Sequence, residues 1–438
     1  MRLHDSAWAW LLEKEWRELL ASRAWWVLLV VMGPLVGFAF TSAVRSYAEA
    51  SGLNGTAAGV GEAFSPLVGI WAPTFSACEL AAVFLLPFVV IRIVAGDRQG
   101  GALKLELQHA MPAPGRVAAK GLILLLGWVI ASVPVMAAIV LWHSYGGSIY
   151  GAELATVAAG HVINAGLTIG IGAATASITE HPSTAAILTL SVTVGTWILN
   201  FVAAVQGGTW ERLASFTPTT MVADFQHGLI KLDAAIAAVT LTLLGLGIAA
   251  VWVRLGVPVR RRVAESIAAT AFALLVILAG TATTKSWDMS ESRLNSFSRS
   301  DEATLRSIPG PISIDVHLAP EDPRRVDLDH RVIAKLRRVR PDVNVHYQSS
   351  TSIGLFEQTS AGYGEIWYDI QGKKAMSRAV TAEAVLETLY SLAAVTPAAD
   401  EDDVFRGHPL IARPAKAVAV FYLLWPALIV SAAIALRS

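Results

Sequence analysis

Eight apolar stretches, each about long enough to cross a bilayer, constrain this 438-residue chain more than any other feature. A hydrocarbon core about 30 Å thick demands roughly 20 apolar residues in a helix, because no water is there to satisfy backbone N–H and C=O groups. The runs fall near Ala24–Val44, Phe75–Ala95, Val117–Leu141, Leu154–Ile178, Ser183–Val205, Ala234–Val253, Ala264–Thr283 and Ala415–Leu436. With 54% of residues hydrophobic, 16% charged and a formal net charge of zero, the composition argues against a soluble enzyme or a nucleic-acid binder. The expected fold class is mainly α, a polytopic membrane protein. The one cysteine, Cys78, leaves no internal disulfide and reads as a small packed side chain. No cleavable signal peptide is evident, since residues 1–23 are amphipathic and charged.

Orientation follows from the Lys and Arg residues of the short loops. Arg2, Lys14, Arg17 and Arg23 precede or open the first run. Arg98, Lys104, Arg116 and Lys120 lie around the second loop, and Arg254, Arg260, Arg261 and Arg262 lie between the sixth and seventh runs. The alternate loops hold only Arg45, none, and Arg212 with Lys231. Both termini are therefore expected in the cytoplasm, with residues 284–413 on the far side of the inner or plasma membrane. Trp25, Trp26, Trp142, Trp252, Trp287 and Trp425 are read as interfacial anchors near run ends.

Residues 284–413 carry a folded pattern. Ile312–Leu318 alternates like a half-buried strand, and Val343–Tyr347 and Glu365–Ile370 read the same way. Asp327–Arg340 and Thr381–Ala394 have helical spacing. Strands alternating with helices predict a small α/β domain.

The amino-terminal segment is amphipathic. Trp8, Leu12, Trp16, Leu19 and Leu20 form an apolar face, while Glu13/Arg17 and Lys14/Glu18 pair at i,i+4 on the other. It is expected to lie flat at the inner interface. Glu15 falls at the edge of the apolar arc, where a carboxylate needs a partner. In the second loop, Gly100-Gly101 permits a sharp turn, and Leu103 and Leu107 stack on one side of a short helix that Pro112 and Pro114 end. Such a helix either transmits force to a soluble partner or rests at the interface.

Within the runs, polar residues are costly. Glu79 at the outer end of the second run, His161 and Asn164 one turn apart on the fourth, and Asn200 on the fifth either line a substrate path or bond between helices. Gly166 and Gly170 predict close helix packing, inside the subunit or at a dimer face. The ten His residues show no metal-ligand spacing, and no G-x-x-x-x-G-K-[ST] phosphate cradle is present, so no cofactor is expected on this chain.

The stretch Asp97-Arg98-Gln99-Gly100-Gly101-Ala102-Leu103, followed by Pro112, Arg116 and Lys120, resembles the coupling-helix signature of ABC-2 type exporter permeases, with Gln99 and Ala102 replacing the usual acidic residue and Thr. Glu13-Lys14-Glu15-Trp16-Arg17-Glu18-Leu19 is similar to that family's elbow helix, and Phe216-Thr217-Pro218 to its motif before the sixth span. Trp287-Asp288-Met289-Ser290 with Phe297-Ser298 resembles the opening of auxiliary subunits of gliding-motility-type ABC transporters. The resemblance implies an elbow helix over 1–23, a six-span permease domain over 24–256 with a coupling helix near 100–110, a seventh span at 264–283, a shortened auxiliary domain at 284–413 and an eighth span at 415–436. It implies that Asp97, Arg98, Gly100, Gly101, Leu103, Leu107, Glu13 and Arg17 couple to an ATPase. The chain would be a transport subunit rather than an enzyme, with ATP and Mg bound by a cytoplasmic ABC ATPase dimer. A second permease chain, identical or not, membrane lipid and an envelope partner for the outer domain complete the expected partners, with no nucleic acid. The rival expectation is a non-transport scaffold or sensor whose outer domain binds a ligand or partner.

Overall fold

The computed structural model describes residues 2–54, 64–99, 111–206, 209–214, 217–283, 285–319, 322–348, 362–396 and 405–436. Eight helices in it are long and apolar enough to cross a membrane: Arg23–Gly52, Leu67–Gly96, Ala113–Ser144, Gly151–Ile178, Pro182–Ala203, Leu232–Trp252, Val259–Gly280 and Ala415–Ala435, hereafter spans 1 to 8. Each matches an apolar run of the sequence to within a few residues at its carboxy end or extends beyond it. Several outrun it, because a helix continues for as long as its backbone bonds are satisfied and does not stop where hydropathy does. Span 2 begins eight residues before Phe75, so Glu79 lies about three turns inside the helix and not at its end.

Prolines set the interruptions. In span 2 the helix Ala72–Phe84 gives way at Leu85 to Leu86–Gln99, one residue before the N–H that Pro87 lacks. Span 3 breaks in the same way at Ser132, between Ala113–Ala131 and Val133–Ser144, beside Pro134. Pro34 is held inside the unbroken helix of span 1.

Two units divide the chain: Met1–Ile198 with Phe216–Met289 and Arg406–Ser438, and Leu199–Ser215 with Ser290–Phe405. In the first, spans 4 and 6 meet at glycine. A Cβ built on Gly245 would come within 2.4 Å of the Gly170 backbone, and one on Gly170 within 2.9 Å of the Thr242 carbonyl. Of the two settings open for the small residues of span 4, the one occupied is inside the subunit. Span 8 seats on span 1 in the same manner, with Trp425 over Gly33 and Phe421 over Gly37. The Trp425 indole donates to the Leu29 carbonyl at 2.7 Å. Expected at a span end, Trp425 lies instead midway along span 8. There it packs and bonds against span 1.

The chain leaves span 7 through strand β2 (Ser286–Asp288), paired antiparallel with β1 (Leu229–Lys231) just ahead of span 6. It returns to span 8 through residues 405–414, which are fastened to the end of span 1. The Tyr47 hydroxyl lies 2.7 Å from the Phe64 carbonyl and 2.8 Å from that of His408, and the Ser51 hydroxyl accepts from the Leu410 amide.

The second unit contains a four-stranded sheet in the order β4 (Asn344–Tyr347), β3 (Ile312–Val316), β5 (Ile366–Ile370), β6 (Lys373–Ser377). Only β3 and β4 run parallel, and the helical stretch Pro323–Val339 crosses between them. The remaining pairs are antiparallel, and β5 turns into β6 through Gln371 and Gly372, both at positive φ. Those two angles suit the primed turn that matches strand twist. Ile312, Ile314, Val316, Ile366, Tyr368 and Ile370 form one sheet face, buried under Leu305, Leu336, Val385 and Leu389 of the helices. Arg340 closes the carboxy end of the Arg299–Ser307 helix by donating to the Leu305, Ile308 and Gly310 carbonyls.

Candidate functional site

Two groups of polar side chains stand out in the membrane unit, one at the start of span 3 and one among spans 2 and 4. The first begins with the amino-terminal helix, Arg2–Ala21. From Trp8 onward its buried residues are Leu11, Glu15, Leu19 and the following Ser22, whereas Trp8 is exposed and Leu12 and Trp16 are half-buried. The inward face is thus centred on Glu15, not on the Trp8–Leu12 stripe. The helix runs along span 3. Trp8 approaches Gly115, Glu15 bonds Lys120, and Leu19 fills the space over Gly127.

Glu15 is fully buried, and Lys120 bonds both of its carboxylate oxygens, at 2.8 Å and 2.7 Å. Lys14 reaches Glu15 at 3.2 Å and Glu18 at 3.0 Å, and Lys120 lies 3.7 Å from Glu18. Two cations and two carboxylates therefore interlock, and each buried charge has a counter-charge. Burial pushes the Glu15 carboxyl above its usual range, and Lys120 and Lys14 pull it back only in part. The short contacts hold the pair in place, while the environment still taxes the charge. One turn before Lys120, Arg116 is also buried. Its Nε and Nη1 meet no hydrogen-bond partner among the described residues.

Of the residues expected to couple to an ATPase, Glu13 and Arg17 are exposed and bond each other at 2.5 Å, away from the buried network. The backbone of Asp97 and Arg98 ends the helix Leu86–Gln99, and their side chains fall outside the description. Gly100, Gly101, Leu103 and Leu107, the expected coupling helix, lie outside the described residues, as does Phe216.

In the second group the His161 ring stacks on Phe75 with centroids 5.0 Å apart at 25°. Phe75 and Glu79 share a face of span 2 one turn apart, and spans 2 and 4 pack together. His161 and Asn164 are buried, and neither ring nitrogen of His161 has a hydrogen-bond partner among the described residues. Glu79 is half-buried and accepts from the Gln226 amide at 2.9 Å. Gln226 ends the short helix Pro218–Gln226, which Thr217 caps and which packs on span 4. Glu79, His161 and Asn164 are thus brought into one region. Asn200 is half-buried near the end of span 5, in the other unit. Gln226 and Phe75 carried no local signal, because their partners are remote in sequence. Glu153, buried in the first turn of span 4, was legible only as a first-turn carboxylate at a helix start. No cluster of metal-ligating residues occurs among the described residues.

Comparison of the chain with family models, curated proteins and solved structures returns no match.

Proposed function

We propose that this chain is the membrane-spanning subunit of an ABC-2 type exporter, in which a separate cytoplasmic ATPase supplies the energy. The observation that carries the reading is the Glu15–Lys120 lock. It makes the amino-terminal helix and the entry of span 3 one mechanical piece, at the place where the Arg116 and Lys120 of the signature stand. A force applied to the loop after span 2 would reach span 3 and the amino-terminal helix together. The proline-interrupted spans 2 and 3 offer the joints at which the bundle can bend. Arg116, two of whose buried nitrogens meet no acceptor among the described residues, is the group that a carboxylate of the ATPase would satisfy. Glu79, Gln226, His161 and Asn164 would line the route of a polar substrate, and the glycine contact of spans 4 and 6 would hold that wall rigid.

The test is purification of the chain with the ATPase expressed from the same host. Stable association and stimulated ATP hydrolysis are expected, and both should fall when Leu103 and Leu107 are changed to Asp. An ATPase that neither binds nor responds would sink the reading. The rival, a scaffold or sensor, draws support from the second sheet face, where Asn344, His346, Trp367 and Met376 are exposed and no helix among the described residues covers them. It predicts ligand or partner capture by that face without any nucleotide-hydrolysing companion.

A further inference from the structure

A cavity of about 610 Å³ opens where spans 1, 2 and 5 begin or end, lined by Arg23, Phe88, Ile91, Arg92, Ser183 and Ala186 among others. Arg23 is the first residue of span 1, Arg92 stands one turn before the end of span 2, and Ser183 is the second residue of span 5. All three polar residues therefore sit at the depth of the helix ends, where headgroups and not acyl chains surround a membrane helix. Neither arginine has a hydrogen bond or ion pair among the described residues. Glu18 is engaged by Lys14 and Lys120, and Glu180 is not among the residues that line the cavity. Span 5 opens with Pro182, and the Ala185 amide is the first in its turn to find a carbonyl, that of His181. The positive end of a 25-residue helix thus joins two guanidinium groups around one space. The remaining walls, Phe88, Ile91 and Ala186, are apolar.

We propose that this cavity binds a phosphate-bearing anion, with two guanidinium groups and a helix start for the phosphate and the apolar walls for a chain attached to it. A basic pocket between helices at headgroup depth has the chemistry that retains anionic lipid. Its volume falls in the range of small-molecule sites. The proposal does not depend on the exporter reading, since it stands on the bundle alone.

The measurement is lipid retention by the full chain in detergent, read by native mass spectrometry against added phosphatidylglycerol, phosphatidylcholine or inorganic phosphate. Phosphatidylglycerol should bind in preference to phosphatidylcholine. Arg23→Gln and Arg92→Gln should each weaken it about fivefold, as expected for one cation near a charged headgroup. Arg260→Gln, which removes an exposed charge from the start of span 7, should leave binding unchanged. Ala186→Trp, which fills the space and keeps both arginines, should weaken it as well. Thermal unfolding of each variant establishes that it is folded. Displacement of the lipid by millimolar inorganic phosphate would identify free phosphate as the ligand, and persistence of the lipid would identify a headgroup; both uphold the site. Equal retention in all variants, or an equal loss with Arg260→Gln, overturns it.

Discussion

At the residue scale the decisive quantity is the cost of an unpaired charge. Lys120→Met would leave the Glu15 carboxylate buried without its main counter-charge, and breaking one side of a buried pair costs about 3–5 kcal/mol. Glu15→Gln should be milder, because burial already disfavours the ionised carboxyl. The sign of the pH dependence follows. A carboxyl whose folded pKa is raised contributes stability that is fully present below its unfolded pKa and lost as pH rises through the folded value. Lys120→Met raises that folded value further, so the variant should regain stability on acidification, whereas Glu15→Gln should show no such recovery. Thermal unfolding in detergent across the acid-to-neutral range reads both, and a pH-independent Lys120→Met would refute the argument. Arg116 makes the opposite case. Its guanidinium is buried and two of its nitrogens lack acceptors among the described residues, so Arg116→Met should leave the isolated chain equally or more stable. Stimulation of the ATPase should nevertheless fall. Destabilisation of the isolated chain would show that Arg116 serves the fold alone.

At the scale of elements, the glycines divide sharply by what surrounds them. Gly245 lies against the backbone of span 4, and a side chain there cannot be accommodated by a rotamer change. Gly247, two residues on, has open space. Gly245→Val should therefore force spans 4 and 6 apart, at the upper end of the roughly 1–3 kcal/mol typical of overpacking, while Gly247→Val should be tolerated. Equal melting temperatures for the two would refute the close contact. Hydropathy alone could not make this distinction, since both glycines belong to the same apolar run. The sequence was informative where the pattern was local. It placed β3, β4 and β5 and the helices at 323–339 and 382–393 near their observed bounds, because alternation and helical spacing are read within a few residues. It missed β6, whose Lys-Lys-Ala-Met-Ser carries no apolar alternation and buries none of its residues fully. It missed the helix Arg299–Ser307 as well, which buries only Thr304 and Leu305 and is started by the Ser298 hydroxyl accepting from the Asp301 amide.

At the scale of the whole molecule, long-range contacts decide what local patterns cannot. Tyr47 and His408 lie 361 residues apart, yet one hydroxyl ties the return segment to the end of span 1. Glu79 and Gln226 are 147 residues apart, so the hydrogen bond that fixes this half-buried carboxylate carries no local signal. Glu15 was legible as a carboxylate in need of a partner, but its partner was readable only once span 3 lay beside the first helix. The sidedness of the bundle rests on charge counting in the loops, and it can be checked directly. Cys78 is the sole cysteine and is 1% exposed, so a membrane-impermeant maleimide should find the parent chain silent. Glu13 and Arg260 are exposed at one end by the expected parity, and Tyr150, 43% exposed between spans 3 and 4, at the other. In intact cells Tyr150→Cys should label, and Glu13→Cys and Arg260→Cys should label only after permeabilisation. The reverse pattern would put the loop after span 2 on the outer side, beyond the reach of any cytoplasmic ATPase. The exporter reading would then fail, although the Glu15–Lys120 lock and the glycine contact of spans 4 and 6 would stand unchanged, because neither depends on which way the bundle faces.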